Sequence, residues 1–200
     1  MSLSPLCPLS AVETVVINAI LCLVLVVATY TDATRAKIYN LLTFPAMLTG
    51  LLLNTLLWGH AGLTLGAALE GLKWAGLGLA VGFALLLVPF WLGGTKAGDV
   101  KLLMAVGALK GWEFVLVGFL YGAVLFGVVA ILILARRGKL GRTLSNITNY
   151  FYGMAVLHSA PELSPPADDS KYPYGISLSL GFAVALILQY TLGRPNFWQW

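Results

Sequence analysis

Apolar runs dominate this chain: Val15–Tyr30, Leu41–Trp58, Trp74–Leu92, Phe114–Leu134 and Ile176–Leu192 each approach the roughly 20 residues that a helix needs to cross a bilayer. A further run, Asp99–Leu109, has only about eleven residues, or roughly 16 Å of helix. It is expected to start inside the protein and to be helped across by its neighbours. Composition excludes the soluble alternative, because 59% of the 200 residues are hydrophobic, 10% are charged and the mean hydropathy is +0.88. A soluble globule normally carries roughly 25% charged residues to cover its surface. The expected fold is an all-α polytopic membrane protein of about six transmembrane helices, residues 1–200 forming one integral membrane domain.

Charge then orients the spans. Nine of the twelve Lys and Arg fall on one side of this map: Arg35, Lys37, Lys96, Lys101, Arg136, Arg137, Lys139, Arg142 and Lys171. The positive-inside rule makes that side cytoplasmic and puts the N-terminus outside. The stretch Gly59-His60-Ala61-Gly62 is then an outer turn, and Glu70 and Lys73, one helical turn apart within Leu63–Lys73, pair at the outer interface ahead of the third span. Gly93-Gly94 breaks that span at its inner end. Residues Thr143–His158 mix polar and aromatic side chains, and Pro161, Pro165 and Pro166 mark the one long loop, on the cytoplasmic side. The tail Gly193–Trp200 is outer and carries interfacial tryptophans. No Lys or Arg precedes Val15 and no small-residue cleavage signal follows the first run, so it reads as a retained span.

The scattered bases argue for orientation and not for nucleic acid. Cys7 and Cys22 form no C-x-x-C pair, and His60 and His158 fall on opposite sides of the membrane. No metal, cofactor or redox chemistry is expected. Small residues such as Gly76, Gly78, Gly82, Gly118, Gly122 and Gly127 are assigned to close helix packing.

Of the eight acidic residues, Glu13, Glu70 and Glu113 map to the outer face, and Glu162, Asp168 and Asp169 to the cytoplasmic loop. Asp32 and Asp99 remain, each at the cytoplasmic end of a span and at nearly the same depth. Ionisable groups at membrane depth usually face a bundle interior or wet cavity and serve a function. Two neighbouring carboxylates do not both ionise readily; one keeps a proton while the other activates water, which is aspartyl protease chemistry. Gly98, lacking a Cβ, would let a substrate strand approach Asp99. A plain structural reading of each acid stays open: Asp99 as N-cap of the helix Val100-Lys101-Leu102-Leu103, and Asp32 as a solvated charge beside Arg35.

The segment Gly93-Gly94-Thr95-Lys96-Ala97-Gly98-Asp99-Val100-Lys101-Leu102-Leu103 resembles the Gly-x-Gly-Asp signature of the type IV prepilin peptidases, the GxGD aspartyl proteases. Asp32-Ala33-Thr34-Arg35-Ala36-Lys37-Ile38-Tyr39-Asn40 is similar to that family's first aspartate motif, and Pro173-Tyr174-Gly175 resembles the start of its last membrane helix. Lys96 stands where the first glycine of the signature is usual, and Tyr39 where the proline before Asn40 is usual. The resemblance implies catalytic aspartates at Asp32 and Asp99, with Asn40, Lys96, Gly98, Lys101, Pro173, Tyr174 and Gly175 as supporting motif residues.

By the same resemblance the chain is a short inner-membrane endopeptidase without the N-terminal cysteine-paired module, so N-methylation is not expected. It would cut Flp-type, prepilin-like precursors at the cytoplasmic face between a basic leader and an apolar helix, with Glu162, Asp168 and Asp169 as a candidate attraction for the leader. Two other classes compete. A proton- or cation-coupled carrier would titrate Asp32 and Asp99, but no inverted repeat is evident. A non-catalytic assembly protein of a pilus or secretion system would be excluded by precursor cleavage.

Overall fold

The computed structural model describes residues 11–35, 37–91, 94–138, 141, 145 and 174–191. Its elements are α1 (Ala11–Arg35), α2 (Asn40–Gly62), α3 (Leu65–Trp91), α4 (Ala97–Arg136) and α5 (Tyr174–Thr191). All five are long and apolar enough to cross a membrane. The chain is a multi-pass, all-helical membrane protein. Two compact units divide it, Met1–Leu125 with Pro173–Trp200 and Phe126–Tyr172. Every contact discussed below lies within the first; of the second, the end of α4 and the turn at Gly138 are described, together with residues 141 and 145.

The difference from the expected six spans lies at Gly111. The expected fourth and fifth spans are joined within α4, where Gly111 adopts φ 78 and ψ 176, a left-handed φ that an L side chain rarely takes. A break of this kind frees carbonyls that have no water to turn to, and Asn54 of α2 supplies the donor. Its fully buried Nδ2 donates to Ala108 O at 3.0 Å and Leu109 O at 3.3 Å, and to Gly50 O in its own helix at 2.9 Å. The Trp74 indole fills the space where a Gly111 side chain would stand, and itself lies 5.9 Å from Trp58. The helix therefore bends against two packed tryptophans without needing a loop.

Other boundaries moved for local reasons. α1 runs on to Arg35, past the expected end at Tyr30, because Thr29, Thr31 and Thr34 turn their hydroxyls back onto the carbonyls of Leu25, Val27 and Tyr30 at 2.7, 3.0 and 2.7 Å. Those threonines need no outside partner. Residues 59–62 are the last turn of α2 and not a free turn; the chain reverses at Leu63, with φ 48. Thr64 Oγ1 then accepts from Ala67 N–H at 3.2 Å, opening α3. α3 is continuous, so all but Leu63 and Thr64 of the expected separate segment Leu63–Lys73 belongs to it, and the Glu70–Lys73 pair forms on its exposed face at 2.7 Å. After Trp91 the chain folds back, Gly94 N–H donating to Pro89 O at 2.9 Å. Gly93, Lys139, Arg142, the loop with His158, Glu162, Asp168, Asp169 and Lys171, and the tail from 192 lie outside the described residues.

The core is built from one face of each helix: Leu21, Leu25 and Ala28 of α1, Ala46 and Met47 of α2, Leu86 of α3, Leu102, Leu103, Val106 and Leu109 of α4, and Leu178 and Phe182 of α5. Small residues set the helix spacing as expected at Gly78 and Gly82, which meet the α4 backbone at Gly107 and Leu103, and at Gly118 and Gly122, which meet Phe182 and Leu178 of α5. Gly76 and Gly127 have open space beside them and do not serve that purpose. The remaining surface, with Leu41, Leu52, Val88, Leu120 and Ile187 among its exposed side chains, is apolar, as a protein solvated by lipid tails requires.

Candidate active site

Three helix ends converge on two buried acids. Asp32 occupies the last turn of α1, Asp99 the first turn of α4, and Gly175 the first turn of α5. Asp32 is 8% exposed and Asp99 2%. A Cβ placed on Gly175 would stand 2.6 Å from Asp32 Oδ2 and 3.1 Å from Asp99 Oδ1. Those two oxygens are therefore no farther apart than the sum of the two distances. The depth match in the sequence is realised as proximity in space.

Neither plain structural reading of the acids describes this geometry. α4 begins at Ala97, so Asp99 is not its N-cap; it is the third residue of the helix and reaches back to accept the Lys96 N–H at Oδ2, 3.3 Å away. That is the reciprocal half of a capping box, and it leaves Oδ1 directed at Asp32 and Gly175. Asp32 is not a solvated partner of Arg35. The Arg35 guanidinium instead donates from Nη1 to the Tyr39 hydroxyl at 2.7 Å and lies 5.7 Å from the centre of that ring. Tyr39 thus engages the Arg35 guanidinium through both its hydroxyl and its ring.

The link between α1 and α2 closes over the pair. Asp32, Lys37, Ile38, Tyr39, Asn40, Lys96, Gly98 and Asp99 line a pocket of about 220 Å³. Ile38 packs on Gly98, where a Cβ would lie 3.1 Å from the Ile38 Cβ. The glycine before Asp99 therefore admits the Ile38 side chain of this same protein while lining the pocket beside the acid. On the rim, Lys101 Nζ donates to Asn40 Oδ1 at 2.8 Å and sits 5.2 Å from the Phe44 ring centre. Lys96 Nζ lies 3.9 Å from Asp32 Oδ1 with its side chain half exposed.

Nearly all the motif residues singled out in the sequence gather here. Asp32, Asn40, Lys96, Gly98, Asp99, Lys101 and Gly175 surround the pocket or its rim, and the half-buried Tyr174 is within electrostatic reach of Asp99. Pro173 lies outside the described residues. The sequence reading passed over the pocket-lining roles of Lys37, Ile38 and Tyr39; the available signal was their place between Asp32 and Asn40 in a link too short to leave the site. Among the described residues, no three His, Cys, Asp or Glu side chains come together as a metal site.

The model of the type IV leader peptidase family matches residues 19–132, more than half of the chain and a stretch that contains both acids. The chain belongs to the type IV leader peptidase family. Membership makes it a membrane-embedded protease of the leader-removing class, acting on prepilin-like precursors in general. No curated protein and no solved structure matches this leader peptidase.

Proposed function

We propose that this leader peptidase is an aspartyl endopeptidase whose dyad is Asp32 and Asp99, working as a single membrane domain over residues 1–200. The observation that carries the proposal is that both carboxylates lie beside Gly175, a Cβ built there falling 2.6 Å from Asp32 Oδ2 and 3.1 Å from Asp99 Oδ1, so the two acids share one buried point. Two carboxylates so placed share a proton, because like charges at close range in a poorly solvated site disfavour double ionisation. One acid is then a hydrogen-bond donor to the scissile carbonyl oxygen, and the other accepts a proton from the attacking water. Collapse of the resulting diol returns a proton to the leaving amine.

The finer reading follows the sequence. The peptidase sits in the inner membrane with its N-terminus outside and its active site at the cytoplasmic face, where the basic residues collect. Its substrates are Flp-type prepilin precursors of a type IV pilus system, cut between a basic leader and an apolar helix. Asn40 and Lys101 hold the start of α2 to the first turns of α4, and Gly98 and Gly175 let the protein's own chain close around the acids.

The test is cleavage of a co-expressed Flp-type prepilin, read as a mobility shift. The wild type is expected to cleave, and Asp32→Asn and Asp99→Asn to insert normally and fail. Cleavage by either variant would remove that acid from the mechanism.

A further inference from the structure

Phenylalanine and tryptophan are exposed at one place on the described residues of this protein. The exposed phenylalanines there are Phe44, Phe83 and Phe90 and the exposed tryptophan is Trp91, and all of them line one groove of about 360 Å³ between α2, α3 and α4. On α3 the lining positions Phe83, Leu87, Phe90 and Trp91 follow helical spacing, and on α4 Ala97, Val100, Lys101 and Met104 do the same. Each wall is therefore about two turns, or roughly 10–12 Å, long. Met47 and Val100, both buried, form the floor.

Lipid alone gives no reason for this grouping. Acyl chains are as apolar as leucine, and elsewhere the large exposed apolar side chains are Val, Leu, Ile and Tyr. What flat rings and a flexible thioether gain is van der Waals contact with another helix, the interaction that joins helices inside a bilayer. The position of the groove says which helix. Groove and acid pocket alternate along α4: Ala97 lines the groove, Gly98 and Asp99 the pocket, and Val100 and Lys101 the groove again. On α2, Asn40 lines the pocket and Phe44, one turn on, the groove. The Lys101 ammonium donates to Asn40 Oδ1 and lies 5.2 Å from the Phe44 ring centre, so it marks the ridge between the two.

Trp91 ends α3 and Ala97 begins α4, so the groove starts level with the acids and runs toward the middle of the membrane, to Phe83 and Met104. A chain whose scissile bond lies at Asp32 and Asp99, and which turns over the Lys101–Asn40 ridge into the bilayer, enters it. Resting on the dyad reading above, we propose that this groove is the docking site for the precursor's own apolar helix, seating the turns that directly follow the scissile bond. Recognition is by apolar side chains at helical spacing laid against rings and a methionine, surfaces that adapt to helices of different sequence.

The experiment is photo-cross-linking in membranes that contain a co-expressed Flp-type prepilin, with p-benzoylphenylalanine in place of Phe83 or, as control, of Leu23, which is exposed on α1 and lines no part of the groove. The peptidase also carries Asp99→Asn, to keep the precursor whole. A cross-link to the apolar helix of the prepilin is expected from position 83 and not from position 23. Cross-links from both alike, from neither, or from position 83 only to lipid or to a second copy of the peptidase overturn the proposal. Kinetics in lipid vesicles give a second readout. Phe83→Ala is expected to raise KM for the prepilin about five- to tenfold with kcat within about twofold of the wild type, the signature of lost binding and not of lost chemistry. Leu23→Ala is expected to change neither, and an unchanged KM in Phe83→Ala overturns the proposal. Failure of the dyad itself shows elsewhere, as cleavage surviving in Asp32→Asn or Asp99→Asn, because the cross-link reads docking whether or not the chain is cut.

Discussion

Gly175 stands against Asp32 with no room for a side chain, a Cβ at that position falling 2.6 Å from Oδ2 and, on its other side, 3.1 Å from Asp99 Oδ1. Gly175→Ala is therefore expected to push the acids off their mutual geometry. Displacements of about 1 Å in an active site cost on the order of 100-fold in rate. The check is kcat on purified protein that inserts and elutes like the wild type; a loss smaller than twofold would show that the spacing set by Gly175 does not matter to the reaction.

Gly98 and Ile38 form a second close contact, 3.1 Å from a Cβ built on the glycine to the Ile38 Cβ. Gly98→Ala is expected to lower both cleavage and thermal stability, and Ile38→Ala in the same chain to restore part of each by making space. A double-mutant cycle measures this, with a coupling of about 0.5–3 kcal/mol expected for residues in contact. Strict additivity would mean that the loop does not press on Gly98.

Gly111 combines a left-handed φ of 78 with the Trp74 indole where a side chain would project. Gly111→Ala adds backbone strain of roughly 1–2 kcal/mol before any clash is counted. The midpoint of thermal unfolding in detergent is expected to fall, and Trp74→Ala is expected to recover only the steric part.

Asn54 answers the carbonyls of Ala108 and Leu109 from a fully buried position. Asn54→Leu leaves them without that donor in a dry interior, a loss of about 1–3 kcal/mol. Unfolding of the purified variant is the measurement, and the half of α4 that carries Asp99 is the region where hydrogen exchange is expected to accelerate.

The Lys101–Asn40 bond is exposed, at 2.8 Å, and exposed pairs contribute little. Lys101→Met is expected to change stability by less than about 1 kcal/mol. Any effect on cleavage beyond a few-fold would assign Lys101 a part in substrate binding instead of in joining α2 to α4.

The apolar runs, the basic clusters and the isolation of Asp32 and Asp99 among the acids were legible in the residues themselves. Each depends on a local property: bilayer thickness sets the length of a run, and a carboxylate at membrane depth is costly wherever it lies. Close contacts have no such local signature. Nothing around position 111 distinguishes a glycine that bends a helix against Trp74 from one that ends it in a loop, because the donor that makes the bend tolerable comes from Asn54, far away in the chain. Likewise, a glycine next to an aspartate does not say which side chain will stand on it, and only packing brings Ile38 there.

The sequence by itself determined that this chain dissolves in lipid as a helical bundle and that two acids end up at matching depth, since hydropathy and charge act residue by residue. Tertiary structure decided that those acids meet at Gly175, that Arg35 turns to Tyr39 and not to Asp32, and that Lys96 divides its attention between the two carboxylates. Such relations depend on distances of a few ångströms between helices remote in the chain, and those distances arise only when side-chain volumes are packed together.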